Sequence, residues 1–171
     1  MSAAPGFARR LYFLAAAGIL LLDQLSKWTV EQALAPGELR RVFSGFFNLT
    51  YVRNRGAAFG LFNEFESPLV QVLLVGFSLA ALGLVFVLLW RGVASGTTGW
   101  GLALIFGGAL GNLLDRLRSG SVVDFLDFYV GGYHWPAFNL ADSSIVIGAG
   151  LLLLEVLIGR RAAPHPEAHE A

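Results

Sequence analysis

Two carboxylates in this sequence stand where a carboxylate is expensive. Asp124 lies in Val122-Val123-Asp124-Phe125 and Asp142 in Phe138-Asn139-Leu140-Ala141-Asp142-Ser143, each beside a long apolar segment. Polar residues at membrane depth are costly and ask for a functional explanation. Two carboxyl groups held close together resist ionising at once, so one keeps a proton. Such a pair offers a general base to activate water beside an acid to protonate a leaving amide. The same residues have a purely architectural reading, in which Asp142 caps a helix N-terminus and Asp124 ends an interfacial loop. Residue pattern alone leaves these two readings level. Asp127, three residues beyond Asp124, is an alternative partner; it sits deeper in the polar stretch and is read as structural.

The polar residues nearby divide in the same way. Asn112 and Arg116 are four apart, so they share a helix face directed at the path of Asp124. They suit holding a peptide carbonyl or orienting a carboxylate. The packing alternative is that Gly107 and Gly111, at GxxxG spacing, bring two helices close and Asn112 bonds across the contact. Asp115 could pair with Arg118 or with an interfacial charge and receives no role. Asp23 and Lys27 form an intrahelical ion pair by spacing, with substrate positioning as the second reading. Asn54, ahead of Arg55 and Gly56, is turn chemistry whose amide can also hold a backbone. A serine–lysine dyad fails because Ser26 and Lys27 are adjacent and diverge by about 100° on a helix. His134 is the only histidine outside the tail and no HExxH occurs, which argues against a zinc peptidase. The absence of cysteine removes thiol nucleophiles, disulfides and cysteine lipidation.

The elements that must carry these groups are membrane helices. The 171 residues are 56% hydrophobic and 14% charged, too apolar for an ordinary soluble domain of this size. Residues 68–90 and 92–114 are uncharged and each long enough to cross a hydrocarbon core of about 30 Å. With two interrupted candidates, the expected spans are residues 11–31, 68–90, 97–117 and 139–159, in a single polytopic domain over residues 1–161. A cleaved-signal reading of the N-terminus is set aside, because Asp23, Lys27 and Glu31 charge the cleavage region and Pro36 follows its Ala33-Leu34-Ala35 triplet. The two longer connections, residues 32–67 and 118–138, fall on one membrane face by alternation. The first holds Phe43, Phe46, Phe47, Tyr51, Phe59 and Phe62 among turn glycines, which predicts short strands on the membrane surface over about residues 38–65. Those aromatics serve equally as an interfacial belt or as substrate contacts. Residues 162–171 read as a disordered tail. Basic residues are nearly balanced between the faces; the pairs Arg9-Arg10 and Arg160-Arg161 and the short loop with Arg91 favour cytoplasmic termini. Twelve basic residues cancel twelve acidic ones with no long basic run, so no nucleic-acid partner is implied. A small transporter would place Asp23, Arg116 and Asp142 on a polar pathway, and no repeat supports it; a non-catalytic scaffold is the third class.

In order along the chain, Asp23-Gln24 through Lys27, Asn54-Arg55-Gly56-Ala57-Ala58-Phe59, Gly107-Gly108-Ala109-Leu110-Gly111-Asn112 through Arg116, Val122-Val123-Asp124-Phe125 and Phe138-Asn139-Leu140-Ala141-Asp142-Ser143 resemble the blocks of the lipoprotein signal peptidases, or signal peptidases II, of bacterial inner membranes. The resemblance implies an all-α membrane protein of four transmembrane helices with a small extracytoplasmic β-rich cradle. It implies an aspartic endopeptidase, without metal or other cofactor, that cuts just before a diacylglyceryl-modified cysteine of prolipoproteins. Asp124 and Asp142 fall on the catalytic positions, chosen over Asp127. Asp23, Asn54, Asn112, Arg116 and Asn139 fall on positions that line the site and contact substrate or antibiotics of the globomycin type, and Lys27, Gly56 and Gly108 on supporting positions. Arg55 departs from the smaller polar residue usual there, and its role stays open. Membrane lipids are the further partner implied, with the site near the extracytoplasmic face.

Overall fold

In a computed structural model, the structure describes residues 5–56, 68–92 and 94–161. Four helices, α1 (Pro5–Ala33), α2 (Pro68–Trp90), α3 (Gly96–Ser119) and α4 (Leu140–Arg161), carry four strands between them: β1 (Leu39–Phe43), β2 (Phe47–Asn54), β3 (Val122–Val130) and β4 (Tyr133–His134). Each helix contains a stretch long and apolar enough to cross a membrane. Much of their apolar surface points outward, as at Leu69, Leu73, Phe77, Ile147 and Leu153, where lipid takes the place of a protein core. Residues 57–65 of the expected cradle, with Phe59 and Phe62, and the expected tail at 162–171 lie outside the described residues.

Helix α3 is the hub, and its glycines are the reason. Helices in lipid gain little from burying apolar surface, so close approach through small residues holds them together. Gly107 and Gly111 face α1: a Cβ on Gly107 would come within 2.6 Å of Ala16 O, and one on Gly111 within 2.5 Å of Asp23 Oδ2. Gly101 and Gly108 face α4, where a Cβ on Gly101 would stand 2.9 Å from Gly148 O and one on Gly108 would collide with Ala141 O and lie 2.5 Å from Ser144 Oγ. α3 stops at Gly120, whose φ of 69° permits the left-handed cap that turns its N–H back to Arg116 O. At the opposite end, Arg9 donates to Trp90 O and lies 4.8 Å over the Trp90 ring, tying the start of α1 to the last turn of α2.

The strands form one antiparallel sheet in the order β1-β2-β3-β4, seated on the end of α1 through Val30, Leu34, Tyr51, Val123 and Phe125. The expected strands lie in the first polar connection alone. The second supplies β3 and β4, since Val122, Val123, Phe125, Phe128, Tyr129 and Val130 are β-branched or aromatic residues that favour a pleated, half-buried strand. Both polar connections therefore meet in one sheet on one side of the helices. Val123 and Phe125 of β3 pack with Val30 and Leu34 of α1, and alternation puts Asp124 on the other face of the strand from them. Beyond β4 the chain returns to β3: Phe138 accepts from Leu126 N–H at 2.8 Å and donates to Leu126 O at 3.2 Å. That return sets Asn139 and the start of α4 beside Asp124. An aromatic row, Phe43–Phe47–Phe128–Phe138, runs with it across the sheet at centroid spacings of 6.4, 4.8 and 5.8 Å.

Gly108→Ala should destabilise the detergent-solubilised protein by about 1–3 kcal/mol, because the new methyl meets a backbone carbonyl that cannot yield without moving α4. Gly76→Ala on α2, where a Cβ meets nothing within 4 Å, is the control and should leave the melting temperature level or slightly raised. Equal melting temperatures for the two variants would contradict this account of the α3–α4 contact.

Candidate active site

The first turn of α4 is built as a reciprocal cap. Asn139 precedes the helix, and its Oδ1 accepts from Asp142 N–H at 2.9 Å while Asp142 Oδ2 accepts from Asn139 N–H at 3.3 Å. Asn139 is thus the cap and Asp142 its reciprocating partner in the first turn, and the other Asp142 oxygen is also engaged: Asn112 Nδ2 donates to Asp142 Oδ1 at 2.7 Å. With its own oxygen committed to the cap, the Asn139 amide turns its Nδ2 to Asp124 Oδ1 at 2.7 Å. One asparagine thus touches both aspartates. Asn54 completes the group, donating 2.9 Å to Asp124 Oδ2 while its Oδ1 accepts from Gly56 N–H at 2.9 Å. Its turn chemistry and its polar reach are used together.

Beneath this layer lies a buried charge cluster. The Lys27 ammonium donates to Asn112 Oδ1 at 3.0 Å and forms buried ion pairs with Asp23 Oδ2 at 2.8 Å and Asp115 Oδ2 at 2.7 Å. Asp23 is fully buried, and its second oxygen accepts from Ala141 N–H at 2.9 Å in the first turn of α4. The Asp23–Lys27 pair is present at its expected spacing, and the same carboxylate also ties α1 to α4. Asp115 pairs with Lys27 and accepts from Gln24 Nε2 at 2.9 Å; Arg118, its expected partner, donates instead to Gln24 Oε1 at 2.8 Å. Gln24, beside Asp23 and one turn from Lys27, links Asp115 to Arg118.

The remaining residues sort themselves by distance. Asn112 bonds Asp142 and not Asp124, because Asp124 sits on β3 across the Asn139 amide. Arg116 donates to Gly56 O at 3.0 Å, within electrostatic range of Asp142, Asp124 and Asp115. Gly108 supplies the close contact with α4. Asp127 points to the other face of β3, where Asn48 Nδ2 donates to it at 2.7 Å and His134 Nδ1 lies 2.8 Å away. An i, i+3 spacing within a strand places two side chains on opposite faces, which separates Asp127 from Asp124. Asn54, Asp124 and Asp142 open onto a groove of about 550 Å³ whose other walls are Trp135, Ala137, Phe138, Ser143, Ile145, Val146 and Ile147. Asp23 is not among its lining residues; it lies beneath.

Electrostatics distinguish Asp124. Burial, reinforced by the charge of Asp142, pushes its carboxyl up to about 7, against the hydrogen bonds from Asn54 and Asn139 and the charge of Lys27. A carboxyl group that can hold a proton near neutrality stands beside a second carboxylate at the mouth of an apolar groove. That arrangement can donate and accept protons at one bond.

The fold is that of bacterial membrane enzymes: one, solved by the in meso method at 2.3 Å resolution, superposes with a TM-score of 0.80 at 30% identity over 92% of this chain and 94% of its own. A second, at 1.9 Å resolution, has a TM-score of 0.75 at 31% identity over 86% of this chain and 92% of its own. The chain belongs to the family described as Signal peptidase (SPase) II, whose model matches residues 15–158. Relatives include the lipoprotein signal peptidase of Geobacter sulfurreducens, 43% identical over 91% of this chain and 97% of the relative, and that of Desulforapulum autotrophicum, 46% identical over 83% and 88%.

Removing the buried cation strands two carboxylates. Lys27→Met should cost about 3–5 kcal/mol in detergent unfolding. Adding Asp115→Asn should recover part of that loss, since one stranded charge disappears. Strict additivity in the double-mutant cycle would refute the coupling.

Proposed function

We propose that Asp124 and Asp142 are the catalytic pair with which this chain, a lipoprotein signal peptidase by family, removes signal peptides from prolipoproteins. The carrying observation is that two carboxylates, joined through the Asn139 amide, meet at the mouth of a groove whose α4 wall, Val146 and Ile147, is exposed where lipid lies. A membrane-borne substrate can then approach sideways, its acyl groups against apolar side chains and its scissile bond at the level where water is available. We assign the cut to the N-terminal side of a diacylglyceryl-modified cysteine. Binding energy from the lipid, remote from the bond, places that bond and makes unlipidated precursors poor substrates.

Asp142, at the positive end of α4, takes a proton from water as the water oxygen adds to the scissile carbonyl. Asp124, holding its proton near neutrality, donates it toward the departing amide nitrogen. Asn54, Asn112 and Asn139 hold the two carboxylates, while Arg116 lies in reach of a peptide carbonyl; Asp23 and Lys27 act from beneath. Peptide antibiotics of the globomycin type would compete for the same groove. We place the protein in the bacterial inner membrane with cytoplasmic termini and the carboxylate pair near the opposite face, a reading supported by the basic pairs flanking the first and last helices.

Asp124→Asn and Asp142→Asn should each abolish cleavage of a lipidated precursor in detergent while the variants still unfold cooperatively; residual wild-type turnover in either removes the assignment. The pH dependence carries a sign. Asp124 must be protonated to act as the acid, so kcat/KM should fall as pH rises through about 7, by about tenfold per unit above it. A profile flat from neutral to alkaline pH would exclude Asp124 as the acid.

A further inference from the structure

The outer edge of the sheet carries chemistry that the carboxylate site does not use. β1 lies at one end of the strand order, and all five of its residues are exposed. Leu39, Val42 and Phe43, with Phe46 in the following turn, are each more than two-fifths exposed. A bare edge strand with this much apolar surface is a hazard in water. Its position accounts for it. Arg40 Nη2 donates 3.0 Å to Ala33 O, the last residue of α1, so the strand lies directly beyond the end of a helix long enough to cross a membrane.

Charge supplies the second half of the argument. The acidic groups around β1 are accounted for: Glu38 lies 3.5 Å from Arg40 in an exposed pair, and Glu31 is held at 3.0 Å by Arg53 and also accepts from Tyr51 Oη. An exposed pair of that length neutralises little. Arg41 has no partner among the described residues. Two adjacent guanidinium groups, one on each face of the edge strand, are thus flanked by Leu39, Val42 and Phe43, a set complementary to a surface that is anionic above and apolar below.

We propose that β1 is a docking strand for anionic phospholipids, with Arg40 and Arg41 on the headgroup phosphates and Leu39, Val42, Phe43 and Phe46 in the upper acyl layer. The docked edge pins the sheet to the bilayer, and with it β3, two strands away, which bears Asp124. The chain has no cysteine, so Ser44→Cys, in the β1–β2 turn, accepts a single nitroxide. The labelled protein is reconstituted in vesicles of phosphatidylcholine alone or mixed with phosphatidylglycerol, and collisions with oxygen and with a water-soluble nickel chelate are compared.

Two arginines favour the docked edge by about 30-fold on an anionic surface. The label should therefore be shielded from nickel in phosphatidylglycerol vesicles, and open to it in phosphatidylcholine or at high salt. Arg40→Gln with Arg41→Gln should restore nickel access in the anionic vesicles. Equal access in the two lipids overturns the proposal, and so does a doubly substituted protein that stays shielded, since apolar burial alone would then hold the edge.

Discussion

A buried ammonium with three oxygen partners organises this molecule. Lys27 sits where an unpaired charge would be prohibitive, and it reaches Asp23 on its own helix and Asp115 and Asn112 on α3. Through Asp23 the cluster continues to the backbone of α4 at Ala141. Three helices are thereby registered to one another at one depth. The same charge orients an amide: with Asn112 Oδ1 taken by Lys27, only its Nδ2 can face Asp142. Hydrogen-bond polarity is passed from a buried cation to a carboxylate that it does not touch.

The second amide repeats the logic with a helix terminus as its anchor. Asn139 Oδ1 is committed to the Asp142 N–H, so its Nδ2 must turn to Asp124. Both aspartates are thus held by donors whose orientation is imposed from behind. Stability is not what this maximises. Desolvating Asp124 beside Asp142 raises its pKa to about 7, which penalises the charged form and keeps a proton on the carboxyl near neutrality.

The helix contacts decide whether such a site can exist. Gly108 admits the first turn of α4 against α3, and Gly111 leaves room for the Asp23 carboxylate between α1 and α3. Side chains at either position would separate the backbones by more than the tenths of an ångström over which these hydrogen bonds survive. Glycine at these two positions is a requirement of the charge cluster as much as of the packing.

Length, composition and five ordered blocks of residues were enough to announce a lipid solvent, four membrane helices and the family. Apolar length and composition are local properties, and lipid leaves them little freedom. The sequence also announced Asp23 with Lys27, because i, i+4 spacing is local. β3 is legible in principle from Val122 to Val130, whose β-branched and aromatic residues surround two aspartates. Only the tertiary structure decided that Asp127 turns away from Asp124, that Asp115 belongs to Lys27 and not Arg118, and that Asn139 joins the two carboxylates. Those outcomes depend on which strand face packs on α1 and on where Phe138 rejoins Leu126. Side-chain partners across 15 to 118 residues of sequence are chosen by packing geometry, which no local pattern encodes.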